Sequence, residues 1–299
     1  MASFLLLFLC LALGVLAARF AALPAGAAKS INWWVLRVAL PALVLAVVPS
    51  VRFESTTWFL VATMALVFLG AWALFLALGR AFGWSRERVG ALTLVAGLGN
   101  TSFMGYPMIE AMHGKAGLAL AVVSDQLGCF PLLAAGGITV ASLHVGRKPS
   151  AALVARRVFA FPAFIALVIG LVAHALGGLP TFVGDVARPI GQTLTPLALF
   201  SVGLQLRLGL QRDQLGALAA GLGWKLLVAP LLCAALGFGF GVGGLTLTVG
   251  VLQSAMAPMI SAAILADEYG LEPSLANAVL GAGILVSLVT VPIANLWLP

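Results

Sequence analysis

Ten apolar runs, joined by short polar links, fill almost all of this 299-residue sequence, at about residues 3–22, 32–49, 57–80, 89–111, 117–143, 155–176, 186–206, 214–239, 244–266 and 273–297. A helix needs roughly 20 predominantly apolar residues to cross a ~30 Å hydrocarbon core. Only helices or closed barrels satisfy their backbone there, and runs of this length are helical. The expected fold is therefore an all-α polytopic membrane protein with ten transmembrane helices. Composition agrees: 62 % of residues are hydrophobic and 8 % charged, with mean hydropathy +1.14, well beyond a soluble domain of this size. The partner this implies is the lipid bilayer. No link is long enough to form a soluble domain.

The net charge of +7 lies mostly in the links and is not interleaved with aromatics. It therefore points to topology and not to nucleic acid. Links after odd-numbered runs hold Arg19, Lys29, Arg80, Arg86, Arg88, Arg147, Lys148, Arg156, Arg157, Arg207 and Arg212, whereas the other side holds Arg52, Lys115 and Arg188. Eleven against three places the odd links in the cytoplasm and both termini outside, as a multi-pass protein of the cell (inner) membrane. The first run lacks the basic n-region of a signal peptide, so it is expected as a retained span. Cys10, Cys129 and Cys233 all fall inside apolar runs, as packing residues and not as metal ligands or disulfides. No cofactor or metal is expected.

Two runs contain residues that a membrane helix tolerates poorly. The fourth carries "LGNTSFMGYP" (Leu98–Pro107) and the ninth "GVLQSAMAP" (Gly250–Pro258). Proline deletes a backbone donor and clashes with the preceding turn, and glycine loosens the helix. Backbone freed at membrane depth survives only where protein or a water-filled cavity satisfies it. "YPMIEA" (Tyr106–Ala111) and "APMISA" (Ala257–Ala262) lie 151 residues apart, and "LPAL" (Leu40–Leu43) and "TPLA" (Thr195–Ala198) 155 apart. Each proline thus falls in the same span of its half. Five spans per half reverse the second half, so residues 1–150 and 151–299 are expected as a 5+5 inverted repeat. Helices 4 and 9 are its broken members, and matched interruptions of this kind point to a transport site. Polar side chains cluster at both breaks: Asn100, Thr101 and Ser102 in one, Gln253 and Ser254 in the other. Half-helix N-termini there favour an anionic group, whereas unwound carbonyls and C-termini favour a cation.

At these residues the sequence resembles the auxin efflux carrier family, which includes the plant PIN proteins and many bacterial relatives. The resemblance rests on "GNTSFMGYP", "LTPLALFSVGLQL" (Leu194–Leu206) and "QSAMAPMISAAILADEYG" (Gln253–Gly270), and it covers the whole chain. It implies that helices 4 and 9 cross, and that spans 1, 2, 6 and 7 form a scaffold and homodimer surface while spans 3–5 and 8–10 move as an elevator. It implies a small organic anion as substrate, bound at a crossing marked by Asn100, Pro107 and Pro258, with Thr101, Ser102, Gln253, Ser254 and Met256 around it. Two departures stand out. The long hydrophilic loop of many plant members has no counterpart between spans 5 and 6, and Gln253 stands where a second asparagine is expected. Indole auxin is therefore not implied.

Charges within the runs need a reason, because each costs about 2.5–3.5 kcal/mol at a helix centre. Arg37 lies near a cytoplasmic end and can snorkel. Asp125 and Lys225 lie roughly 14 Å and roughly 16 Å deep at 1.5 Å per residue, so they are the candidates for ion or proton coupling and for a pair near the midplane. Glu110, Asp267, Glu268 and Glu272, like His113, His144 and His174, fall at span ends.

The expected function is a secondary carrier of a small carboxylate, with the coupling ion, H+ or Na+, left open. The alternatives are a sodium-coupled carrier like the bile-acid symporters and a transporter-like sensor. An intramembrane protease would need paired aspartates, a Ser–His pair or a zinc motif, and an ATP-driven pump would need GxxxxGK[ST]. Asp125 is the only deep carboxylate, and neither HExxH nor GxxxxGK[ST] occurs in the sequence, so an enzyme is not expected.

Overall fold

Proline and glycine decide where the helices stop. The computed structural model describes all residues except Met1, Arg52, Pro149, Arg207, Leu208, Leu210 and Gln211. Arg52 and Arg207, two of the basic residues that set the expected orientation, thus lie outside the described residues. The helices are α1 (Ala2–Phe20), α2 (Ala27–Ser50), α3 (Trp58–Phe82), α4 (Arg86–Gly97), α5 (Thr101–His144), α6 (Ala151–Phe159), α7 (Pro162–Ala175), α8 (Thr181–Gln192), α9 (Leu194–Gln205), α10 (Leu215–Gly239), α11 (Gly244–Ser254), α12 (Ile260–Glu268) and α13 (Pro273–Asn295). Five of them, α2, α3, α5, α10 and α13, are long and apolar enough to cross a membrane among the described residues. Leu5–Phe20 of α1, and the whole of α7 and α11, are shorter apolar helices.

The breaks have local causes. Ser85 starts α4 by accepting the Arg88 N–H at 3.1 Å, as an N-cap does. Gly114 (φ 61°, ψ −157°) turns the chain within α5, in a conformation that glycine reaches without penalty. The runs expected as single helices over 155–176 and 186–206 are each divided. Phe161 is pushed to an extended conformation (φ −80°, ψ 120°) before Pro162, because proline disfavours a helical residue ahead of it. Thr193 separates α8 from α9. Its hydroxyl donates to the Ile190 carbonyl at 2.7 Å and accepts from Trp34 Nε1 at 3.0 Å.

Wide, π-helical turns occur at Val35–Ala39, Thr101–Gly105, Ser124–Cys129 and Trp224–Val228. Each of these four ends two residues before a proline, namely Pro41, Pro107, Pro131 and Pro230, whereas a fifth, Leu132–Gly137, follows Pro131. A proline leaves the carbonyl four residues earlier without its donor and crowds it, and a widened turn relieves the crowding.

Contacts divide the chain into two units. Unit 1 comprises Met1–Glu54, Ser102–Gln126 and Ala155–Leu206, and unit 2 comprises Ser55–Thr101, Leu127–Val154 and Arg207–Pro299. Within unit 1, α1 packs along α9 with glycines at the crossing. A Cβ added to Gly203 would stand 2.9 Å from Gly14 Cα and would overlap the Leu11 carbonyl oxygen. Small residues let helix backbones approach this closely, which is the main source of helix association in lipid. Gly203→Val should therefore lower the detergent-solubilised protein's stability by about 1–3 kcal/mol, the usual cost of overpacking. Thermal unfolding followed by tryptophan fluorescence checks it, and an unchanged melting temperature would refute the close packing.

In unit 2, α3 packs on α4, and Gly250 of α11 admits the Phe59 ring. Polar contacts fasten the loops at one end of this unit. Arg88 grips Glu272 with two hydrogen bonds, at 2.9 and 2.8 Å, the forked geometry in which Arg–carboxylate pairs are strongest. That carboxylate holds the Arg88 guanidinium above its usual pKa. Gln214 adds hydrogen bonds to Glu272 and to Ser274, at 2.9 and 2.8 Å.

Candidate transport site

The site forms where two helices stop facing each other within unit 2. At the end of α4, Leu98 is extended (φ −114°, ψ 123°). Ahead of α12, Met259 is extended too (φ −79°, ψ 132°). The two extended stretches meet as a single antiparallel bridge between Gly99 and Pro258. Asn100 N–H donates to the Ala257 carbonyl at 2.7 Å, and Met259 N–H donates to the Leu98 carbonyl at 3.0 Å. The groups that each broken helix leaves open are thus satisfied by the other break, as burial demands. Side chains add to the bond network. Gln253 Nε2 donates to the Thr101 carbonyl at 3.3 Å, and Ser254 Oγ donates to the Val251 carbonyl at 2.6 Å.

Lys225 is the charge at this crossing. It is 1 % exposed, and its Nζ donates to the Ser254 carbonyl, at the C-terminal end of α11, at 2.8 Å. A helix C-terminus carries partial negative charge, which favours a cation. The ammonium also lies against the backbone of the other break: a Cβ placed on Gly99 would stand 2.9 Å from Nζ. Gly99 is thus a glycine because Lys225 occupies the space beside it. An ammonium has three donor hydrogens, and Lys225 makes one hydrogen bond among the described residues, so the ammonium keeps donor capacity.

Unit 2 brings together Asn100, Thr101, Gln253, Ser254, Met256 and Pro258, with Lys225 beside them; Asn100 is 2 % exposed and Gln253 and Met256 are fully buried. Ser102, Pro107 and Asp125 fall in unit 1. There Asp125 is held by neighbours that the sequence reading did not single out. Tyr106 Oη and Gln126 Nε2 both donate to Asp125 Oδ2 at 2.7 Å. Asp125 and Lys225, expected as one pair, thus make these hydrogen bonds with different partners in different units. Tyr106 lies inside the quoted "GNTSFMGYP" motif and Gln126 adjoins Asp125, so both were in view. What linked them to Asp125 was the fold of α5 back past Gly114, which spacing does not reveal.

With this geometry in place, the sequence profile of a membrane transport protein family matches residues 1–150 and 147–295. The chain belongs to the membrane transport protein family. Two relatives are similar along most of their length. An uncharacterized transporter of Methanothermobacter thermautotrophicus is 29 % identical over 220 residues, covering 71 % of each chain. An uncharacterized transporter of Methanocaldococcus jannaschii is 26 % identical over 261 residues, covering 82 % of this chain and 81 % of the relative. As a member of the membrane transport protein family, the chain is a multi-pass membrane transporter and not an enzyme, in line with the auxin-efflux-carrier resemblance of its motifs.

Proposed function

We propose that the chain is a secondary active carrier of a small organic anion, a carboxylate, working by elevator-type alternating access. The observation that carries the substrate class is the buried Lys225 ammonium at the crossing, hydrogen-bonded once and beside Gly99. A buried cation with donors to spare recognises a carboxylate by charge-assisted hydrogen bonds. The half-helices that start at Thr101 and Ile260 add partial positive charge. In this reading Asn100, Thr101, Gln253, Ser254, Met256 and Pro258 surround the substrate, Ser102 and Pro107 complete the binding region, and Lys225 and Asp125 couple transport to H+ or Na+.

The elevator part has its own support. Spans 1, 2, 6 and 7 fall in unit 1, whereas α3, α4 and α10–α13 fall in unit 2, close to the division into scaffold and moving parts that the resemblance implies. The full proposal has ten spans in two inverted halves, residues 1–150 and 151–299, in the cell membrane, with both termini outside and a homodimer built on the scaffold.

The experiment is a thermal-shift screen of mono- and dicarboxylates on the purified protein. A ligand that binds the folded state at about 100 times its Kd adds ~2.7 kcal/mol to apparent stability. At least one carboxylate should raise the melting temperature of the wild type but not of Asn100→Ala. A set of carboxylates without effect, beside an organic cation that stabilises the protein, would overturn the anion assignment. Activity of a periplasmic reporter fused after Pro299, with none from a cytoplasmic one, checks the orientation.

A further inference from the structure

Unit 1 contains a cleft of about 500 Å³ whose wall includes Glu110, Tyr106, Lys115, Gln192 and Thr195. Of its lining residues, Pro107 alone belongs to the proposed binding region. Glu110 and Tyr106 are four residues apart in the helical part of α5, so they share one face of the helix. Tyr106 is 1 % exposed; it lines the cleft, and its hydroxyl donates to Asp125 Oδ2 at 2.7 Å. One side chain thus joins a solvent-sized cavity to a buried carboxylate.

Gln126 completes the arrangement. Its Nε2 donates to the same Asp125 oxygen at 2.7 Å, while its buried Oε1 has no hydrogen-bond partner among the described residues. An amide offers two donors at one end and an acceptor at the other. With Asp125 ionised, the NH2 end faces it. With Asp125 protonated, rotating the amide presents Oε1 to the new O–H. Rotating the amide therefore lets Gln126 hydrogen-bond to Asp125 in either protonation state.

We propose that Glu110 and Tyr106 form the route by which protons from the cleft reach Asp125, with Gln126 as the amide that serves both states of the carboxylate. The proposal rests on the reading of Asp125 as a coupling residue. The transfer balances in three moves. The Tyr106 O–H bond breaks as its proton forms an O–H bond on Asp125. Cleft water hands a proton from the Glu110 carboxyl to the Tyr106 oxygen. Bulk water then reprotonates Glu110. One proton moves from solvent to Asp125, and Tyr106 and Glu110 end as they began. The titratable groups that line the cleft are Tyr106, Glu110 and Lys115, all on α5. The cleft residues contributed by α1, α2, α8 and α9 carry no charge.

The test reads Asp125 directly and needs no transported substrate. Purified protein is subjected to a pH jump, and the protonated-carboxyl C=O band is followed by time-resolved infrared spectroscopy, with Asp125→Asn assigning the band. Tyr106→Phe keeps the ring and removes the relay hydroxyl. It should slow Asp125 equilibration about a hundredfold, the low end of what a positioned proton carrier contributes. Glu110→Gln, on the cleft wall, should slow it in the same direction. Should Tyr106→Phe fail to fold, Glu110→Gln decides alone. An Asp125 band that relaxes at the wild-type rate in the folded variants overturns the route and leaves the coupling reading intact. A pH-dependent spectrum identical in Asp125→Asn removes the coupling reading itself.

Discussion

Lys225→Met should abolish transport of the stabilising carboxylate while leaving the protein at least as stable as the wild type. The two effects have separate origins. Burying an ammonium at 1 % exposure carries a desolvation cost of several kcal/mol. Its hydrogen bond to the Ser254 carbonyl returns about 1.5–3 kcal/mol. Methionine fills the same space with an apolar, flexible chain, so the cost disappears along with the bond. Replacing buried charge by apolar groups of similar volume is often neutral or stabilising. A lysine kept against that gradient is kept for function, as strained or costly groups at working sites are. Melting temperature and liposome uptake, measured together, decide it. A Met variant that loses stability and still carries substrate would make Lys225 a pin for the end of α11 and nothing more.

What could be read from the sequence, and what could not, divides along physical lines. The breaks at Leu98–Pro107 and Gly250–Pro258 were legible because proline and glycine act on their own backbone, whatever surrounds them. The breaks at Phe161 and Thr193 carried the same kind of signal, Pro162 and Pro196, but the unbroken hydropathy of those runs outweighed it. The acceptor of Lys225 was not legible at all. It is a backbone carbonyl, and every residue has one, so only the fold selects Ser254. A carboxylate was the natural partner to expect for a buried lysine, and the end of a broken helix, with its partial negative charge, is a substitute that composition does not show. Asp125 was legible as costly, but its neighbour Tyr106 lies 19 residues away, across the Gly114 turn. The candidate binding residues were found because polar groups are rare in apolar runs. Their division between units was not, because Thr101 and Ser102 are adjacent in sequence and only packing separates them.

Gly99→Ala should cut transport about a hundredfold with almost no loss of stability, and Gly99→Val should abolish it. The backbone at this position is not in the left-handed region that demands glycine, since Gly99 is absent from the positive-φ glycines. A side chain there costs nothing in backbone strain, and a β-branched one suits an extended bridge. The penalty is contact. The added Cβ would stand 2.9 Å from Lys225 Nζ and 3.5 Å from the Gln253 carbonyl oxygen. The carbonyl contact is ordinary, but the first is too close to keep. Nζ ends a flexible four-carbon stem, so the ammonium swings aside instead of the helices moving apart. Folding is spared and the charge is misplaced. A displacement of about 1 Å at a positioning group can cost a hundredfold. Valine brings two more methyl groups into the same space and denies the ammonium its place altogether. The series separates this site from its neighbours. At Gly283 the added Cβ would meet the Pro258 ring, which cannot swing away, so Gly283→Ala should lose stability as well as transport. Uptake and melting measured on Gly99→Ala, Gly99→Val and Gly283→Ala give the comparison. Should Gly99→Ala transport like the wild type, the ammonium does not act from beside the crossing, and the anion site would have to be sought elsewhere in the protein.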